Sequence, residues 1–104
     1  VYFFAPWCEI CRASITNLEY VDEEKFTIIR IALDYESEAD IREFVRVTKI
    51  NSPVYVGTAA LAERFQVEGY PTYYLLDEEF RVIDSALGYS SAMGIKLRTW
   101  LATS

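Results

Sequence analysis

Two cysteines three residues apart, Cys8 and Cys11, stand where an apolar run of β type, Val1-Tyr2-Phe3-Phe4, gives way through Ala5-Pro6-Trp7 to a stripe of helical period at Cys11, Ile15, Leu18 and Val21. This strand, turn and helix with a thiol pair at the junction constrain the chain more than any other stretch. Helical geometry puts Cys8 near the first turn and Cys11 about one turn deeper, close enough to close a short disulfide. Unpaired backbone N–H groups and the positive end of the helix dipole favour an anion there, so Cys8 is expected to be the nucleophile, its thiolate stabilised relative to the roughly 8.5 of a free thiol. A mixed disulfide formed at Cys8 would be resolved by Cys11. A stabilising disulfide or half of a metal site are the blander readings of such a pair, and neither accounts for the strand-to-helix setting.

The rest of the composition narrows the chemistry to thiols. The sequence contains no histidine, which removes Cys/His proteases, Ser/His/Asp hydrolases and histidine general bases, and it leaves a tetrahedral zinc site two N/S ligands short, so no metal site is expected. Sixteen acidic residues against ten basic ones give a net charge of −6, with no basic stripe for a phosphate backbone, so no nucleic-acid partner is expected. With 104 residues, 52% of them hydrophobic, the chain can fill one core, and residues 1–104 are read as a single domain. Apolar runs such as Val1 to Trp7 fall far short of the roughly 20 residues that span a bilayer. The chain opens inside a β-type run with neither Met nor a charged leader, and it is expected to be part of a longer product whose signal or anchor lies upstream.

Further along, Thr27–Leu33 reads as a second strand, closed by Asp34-Tyr35-Glu36. Ser37 and Asp40 resemble a capping box for a helix whose inner face is Ile41, Phe44, Val45 and Thr48, and Asn51-Ser52-Pro53 stops it. A short strand at Val54–Val56 and a short helix around Thr58–Phe65, with Leu61, Ala62 and Phe65 inward, precede the Gly69-Tyr70-Pro71-Thr72 turn. Tyr73–Leu76 and Val82–Leu87 form a hairpin across Asp77-Glu78-Glu79, ended by Gly88. A last amphipathic helix is expected from Ser90 or Ser91, with Met93, Leu97, Trp100 and Leu101 inward. This order implies an α/β fold, a central mixed sheet flanked by helices.

Phe4-Ala5-Pro6-Trp7-Cys8-Glu9-Ile10-Cys11-Arg12 resembles the active-site stretch of the thioredoxin superfamily, and Val67-Glu68-Gly69-Tyr70-Pro71-Thr72-Tyr73 resembles its cis-proline loop and following strand. The resemblance runs through essentially the whole chain. About twenty extra residues centred on Asp34–Val56 are similar to the helix and short strand inserted between the central strand and helix in TlpA/ResA-like reductases. It implies a thioredoxin-like three-layer fold with that insertion, N-terminal strands missing from view, and a bacterial, periplasmic or otherwise extracytoplasmic address with a membrane tether outside this segment.

The resemblance also implies roles: Cys8 attacks, Cys11 resolves, Pro71 follows a cis peptide opposite the pair, and Trp7 and Tyr70 meet the substrate. Glu9 and Ile10, between the cysteines, would tune the redox poise. Thioredoxin keeps a buried Asp six residues before its first Cys, a position held here by Tyr2, and a tyrosine with a pKa near 10 is a poor base at neutral pH. The TlpA/ResA-like branch instead uses a Glu from its inserted segment, so the resemblance implies that Glu36, at the entry to the inserted helix, relays the proton of Cys11, its own pKa raised by partial burial; the alternative is a solvated loop carboxylate, with Glu38 two residues on. Tyr2, Tyr73 and Tyr74 are expected to be core or strand-face aromatics.

The expected function is thiol–disulfide exchange, reducing protein disulfides with electrons from an upstream thiol donor and with no bound cofactor. A disulfide isomerase or oxidase, a non-catalytic binding module, a Cu(I)-handling dithiol and a peroxide reductase are the alternatives. Glu9 favours the reducing direction, because its charge beside the thiolate stabilises the reduced state less than a neutral or basic residue would.

Overall fold

The computed structural model describes residues 1–18 and 26–88; Val21 and the expected last helix with Met93, Leu97, Trp100 and Leu101 lie outside the described residues. The elements run β1 (Tyr2–Phe4), α1 (Glu9–Asn17), β2 (Arg30–Ala32), α2 (Glu38–Thr48), β3 (Val54–Val56), α3 (Ala59–Arg64), β4 (Thr72–Leu76) and β5 (Val82–Leu87). They form a five-stranded sheet in the order β3-β2-β1-β4-β5. β1 pairs in parallel with β2, and β2 with β3, while β4 runs antiparallel to both β1 and β5. The sheet is mixed, with helices on its faces, as the order of elements implies.

β1 sits at the centre, and the period of two along it divides the core. Tyr2 and Phe4 face α1 and α2 in a cluster with Cys11, Ile15, Leu18, Ile41 and Phe44. Phe4 stacks on Phe44 at 4.6 Å and on Tyr2 at 5.8 Å. Phe3 points the other way, to Phe65 beyond the end of α3 and to Tyr74 of β4. A central strand covered on both faces must be apolar at every position, which is why Tyr2-Phe3-Phe4 shows no alternation.

Local chemistry sets the ends. Asp40, in the first turn of α2, accepts hydrogen bonds from the backbone N–H groups of Glu36 and Ser37 at 3.3 Å, and Lys49 closes the helix in a left-handed conformation, φ 58°. Thr58 caps α3 by accepting from the Leu61 N–H at 3.1 Å. Gly57 is required where β3 ends, since a Cβ there would lie 2.5 Å from the Leu33 side chain. The second strand is shorter than expected: Arg30, Ile31 and Ala32 are its residues in register with β1, flanked by the Ile29 carbonyl, which accepts from the Tyr2 N–H, and the Leu33 N–H, which donates to the Phe4 carbonyl, each at 2.8 Å.

Candidate active site

Both cysteines lie at the junction of β1 and α1, as free thiols. Phe4 ends the strand, Ala5 accepts the Cys8 N–H at 3.1 Å, and this turn makes Cys8 the N-cap of α1 in an extended conformation, φ −83°, ψ 114°. The Cys8 sulfur takes the place of a capping oxygen: its Sγ accepts from the Cys11 backbone N–H at 3.2 Å. A donor of this kind stabilises negative charge on Sγ. Cys8 retains 7% exposure, whereas Cys11, a turn deeper, is closed off at 0%. Burial, with the adjacent Cys8, pushes the Cys11 thiol up to about 12, against a partial downward pull from hydrogen bonds with the Ala5 backbone and Tyr2.

Around Cys8 the surface is apolar. Trp7 is 60% exposed and Ile10 51% exposed, and the Trp7 ring meets Tyr70 edge-on at 5.8 Å. Trp7 Nε1 donates to the Asp34 carbonyl at 3.0 Å and to Asp34 Oδ2 at 3.2 Å, so the ring is oriented by the loop after β2. Asp34 has a left-handed backbone, φ 50°, which an Asp tolerates better than most residues. Burial, reinforced by the Asp34 charge, holds the Tyr70 phenol above its ordinary range.

The peptide bond between Tyr70 and Pro71 is cis, and the Tyr70 carbonyl lies 3.8 Å from Cys8 Sγ. Thr72 braces the loop by donating to the Gly69 carbonyl at 2.6 Å. The structure thus brings Trp7, Cys8, Cys11, Tyr70 and Pro71 to one place, with Glu9 and Ile10 on the first turn of α1. Both of these side chains are exposed.

Glu36 is a correction. Its side chain is exposed rather than partly buried, it precedes the cap of α2, and the groups acting on the Cys11 thiol are Cys8, Ala5 and Tyr2. Asp40 holds the Glu36 and Ser37 backbone N–H groups at the start of α2, and the Glu36 side chain stands in solvent. What lies beside Cys11 instead is a pair of hydroxyls, Tyr2 and Ser14, with Tyr2 OH 2.7 Å from Ser14 Oγ. Ser14 was legible in principle: three residues after Cys11, it shares the buried face of the helix. Among the described residues no three of His, Cys, Asp or Glu form a group that could hold a metal ion, and no helix is long and apolar enough to cross a membrane.

No family model matches the sequence. A "Thioredoxin-like protein" of Haemophilus influenzae is 27% identical over 107 residues, covering 98% of this chain but only 61% of that relative, so the chain spans about three-fifths of its length. A thiol:disulfide interchange protein of the thioredoxin family from Chlorobium tepidum superposes with a TM-score of 0.80 at 23% identity, over 99% of this chain and 77% of that one. The pneumococcal exposed lipoprotein thioredoxin Etrx1 of Streptococcus pneumoniae gives 0.77 at 26%, over 97% and 81%. The mixed sheet, the helix and strand inserted after β2, and the dithiol at the β1–α1 junction make a thioredoxin-like fold, similar to that of these thioredoxin-like and thiol:disulfide interchange proteins.

Proposed function

We propose that this chain is the thiol–disulfide exchange domain of a protein-disulfide reductase, working through Cys8 and Cys11. The observation that carries the reading is the setting of the two sulfurs. One is partly exposed, caps a helix and accepts a backbone N–H at 3.2 Å; the other is buried directly beneath it. In the reaction, the Cys8 thiolate attacks a client disulfide, releases one client thiolate and stays joined to the other client sulfur. Cys11 then attacks Cys8, the dithiol gives up two electrons, and the client leaves with two thiols. Trp7, Ile10 and Tyr70 supply an apolar rim for the client, and the Tyr70 carbonyl beside Cys8 is open to backbone pairing.

Glu9 favours the reducing direction, since a carboxylate on the first turn of α1 opposes the thiolate that the helix start stabilises. An upstream thiol donor restores the dithiol. An extracytoplasmic setting is supported by the likeness to Etrx1, named as an exposed lipoprotein. The test is turnover of a disulfide-bonded protein substrate with a small dithiol as electron source: the native chain accelerates reduction and Cys8→Ser abolishes the acceleration. Equal rates with and without the native chain would end the proposal.

A further inference from the structure

Beside Cys8 two rings and a carboxylate from three separate segments meet at the surface. Trp7, 60% exposed, leads from β1 into α1; Tyr70 comes from the cis-proline loop, and Asp34 from the loop after β2. The Trp7 and Tyr70 rings stand at 89° with centroids 5.8 Å apart, so they make two walls of a corner. Asp34 closes it at the edge of the indole, where its carbonyl and Oδ2 accept from Trp7 Nε1 at 3.0 and 3.2 Å. These two bonds hold a largely exposed indole in one orientation. The Tyr70 carbonyl, 3.8 Å from Cys8 Sγ, ties the same corner to the reacting sulfur.

The charge of Asp34 is not neutralised there. Its side chain is exposed, the indole takes up Oδ2, and among the described residues no hydrogen bond engages Oδ1 and no Lys or Arg pairs with the carboxylate. The basic residues turn elsewhere: Arg46 pairs with Glu43, the charge of Arg12 also reaches Glu43, and Arg81 pairs with Asp77 and Glu79. Glu9, exposed on the first turn of α1, adds a second carboxylate to the rim of Cys8.

We propose that Trp7, Tyr70 and Asp34 form a recognition corner for a basic side chain, so that the domain selects client disulfides flanked by Arg or Lys. The inference rests on the exchange reading and names the substrate class of that same site. A cation over an indole face is drawn to the negative face of the ring, and a carboxylate at the ring edge supplies the counter-charge. Arg suits the corner better than Lys, because its planar guanidinium lies flat on the indole and still donates to the carboxylate beside it. Trp7 adjoins Cys8, and an extended client advances about 3.3 Å per residue, so the cation belongs within about two residues of the client cysteine. The sulfur exchange itself is unchanged; the corner alters which disulfide is held at Cys8 Sγ.

The test uses fluorogenic disulfide peptides with Arg at each position from two before to two after the cysteine, each matched by a peptide with citrulline, which keeps the shape of Arg and lacks its charge. With a small dithiol as electron source at low salt, kcat/KM for the best Arg peptide should exceed that of its citrulline match about fivefold, and the ratio should shrink as salt is raised. Asp34→Asn keeps an oxygen for the indole N–H and tolerates the left-handed backbone, φ 50°, as well as Asp does; it should lower the ratio below about twofold. Glu78→Gln removes the same charge from the exposed hairpin turn at the far end of β4 and should keep the native ratio.

A native ratio below about twofold at every position, an unchanged ratio in Asp34→Asn, or an equal fall in Glu78→Gln overturns the proposal. Failure of the native chain to accelerate reduction of any peptide, Arg or citrulline, would instead remove the exchange reading on which it stands.

Discussion

Replacing Phe44 tests whether the inserted helix is built into the strand that delivers the active site. Phe44 is buried on α2, and its ring stacks on Phe4 at 4.6 Å with the planes 22° apart; Phe4 is the last residue of β1, four before Cys8. Phe44→Ala removes a full ring from a closed site, and such truncations cost about 3–5 kcal/mol, to which the aromatic pair contributes roughly 0.5–1.5. The better helix propensity of Ala returns about half a kcal/mol. Against a total stability of about 5–15 kcal/mol, the loss is a large fraction. With an m value of about 1–3 kcal/mol per M, the urea midpoint should fall by roughly 1–3 M with m unchanged. Phe44→Leu keeps most of the volume and should recover more than half of the loss. Equilibrium unfolding followed by tryptophan fluorescence and far-UV circular dichroism provides both numbers. A destabilisation below about 1 kcal/mol in Phe44→Ala would refute the packing of α2 on β1.

Two further outcomes follow from the charges at the site. The Cys11 thiol is raised from 9.0 to about 12 in the folded protein, so below pH 9 both states hold its proton, and between about pH 9 and 12 only the folded state does. The unfolded state then binds fewer protons, and the stability of the dithiol form should fall with rising pH by up to about 1.4 kcal/mol per unit in that window. The disulfide form lacks the thiol and should not share this slope; urea titrations of both forms at pH 8, 9.5 and 10.5 would contradict the account if they ran parallel. Glu9→Gln removes a negative charge from the first turn of α1 and should make the domain more oxidising, by roughly 10–20 mV for an exposed charge. A glutathione titration that moves the potential the other way would reverse the assigned direction of the Glu9 effect.

The elements read best from sequence are those bounded by residues with strict backbone demands. β3 at Val54–Val56 lies between Pro53 and Gly57, β5 ends at Gly88, and α2 begins at Ser37 with Asp40 behind it, so all three fall where the pattern puts them. Thr27–Leu33 is wider than the paired stretch Arg30–Ala32, because β propensity is continuous through it and does not itself mark where pairing stops. The thiol pair is local and legible, since a strand, a tight turn and a helix start fix its geometry within ten residues. Its surroundings are not local. Tyr2 reads correctly as a buried aromatic, but its hydroxyl finds partners only when α1 lays Ser14 and the Cys11 carbonyl beside it. Glu36 fails for the converse reason: its position along the chain suits a relay, but its backbone is held to the start of α2 by Asp40 and its side chain is exposed.

The central claim is that Cys8 attacks and Cys11 resolves, and a trapping measurement addresses it directly. Reduced Cys11→Ala is mixed with a disulfide-bonded protein, quenched in acid and mapped by mass spectrometry under non-reducing conditions, with Cys8→Ala treated in parallel. The partly exposed Cys8, supported by the Cys11 N–H, should accumulate as a stable mixed disulfide in the first variant, while the fully buried Cys11 gives none in the second. Adduct on Cys11 in Cys8→Ala together with none on Cys8 in Cys11→Ala would contradict the assignment of both thiols.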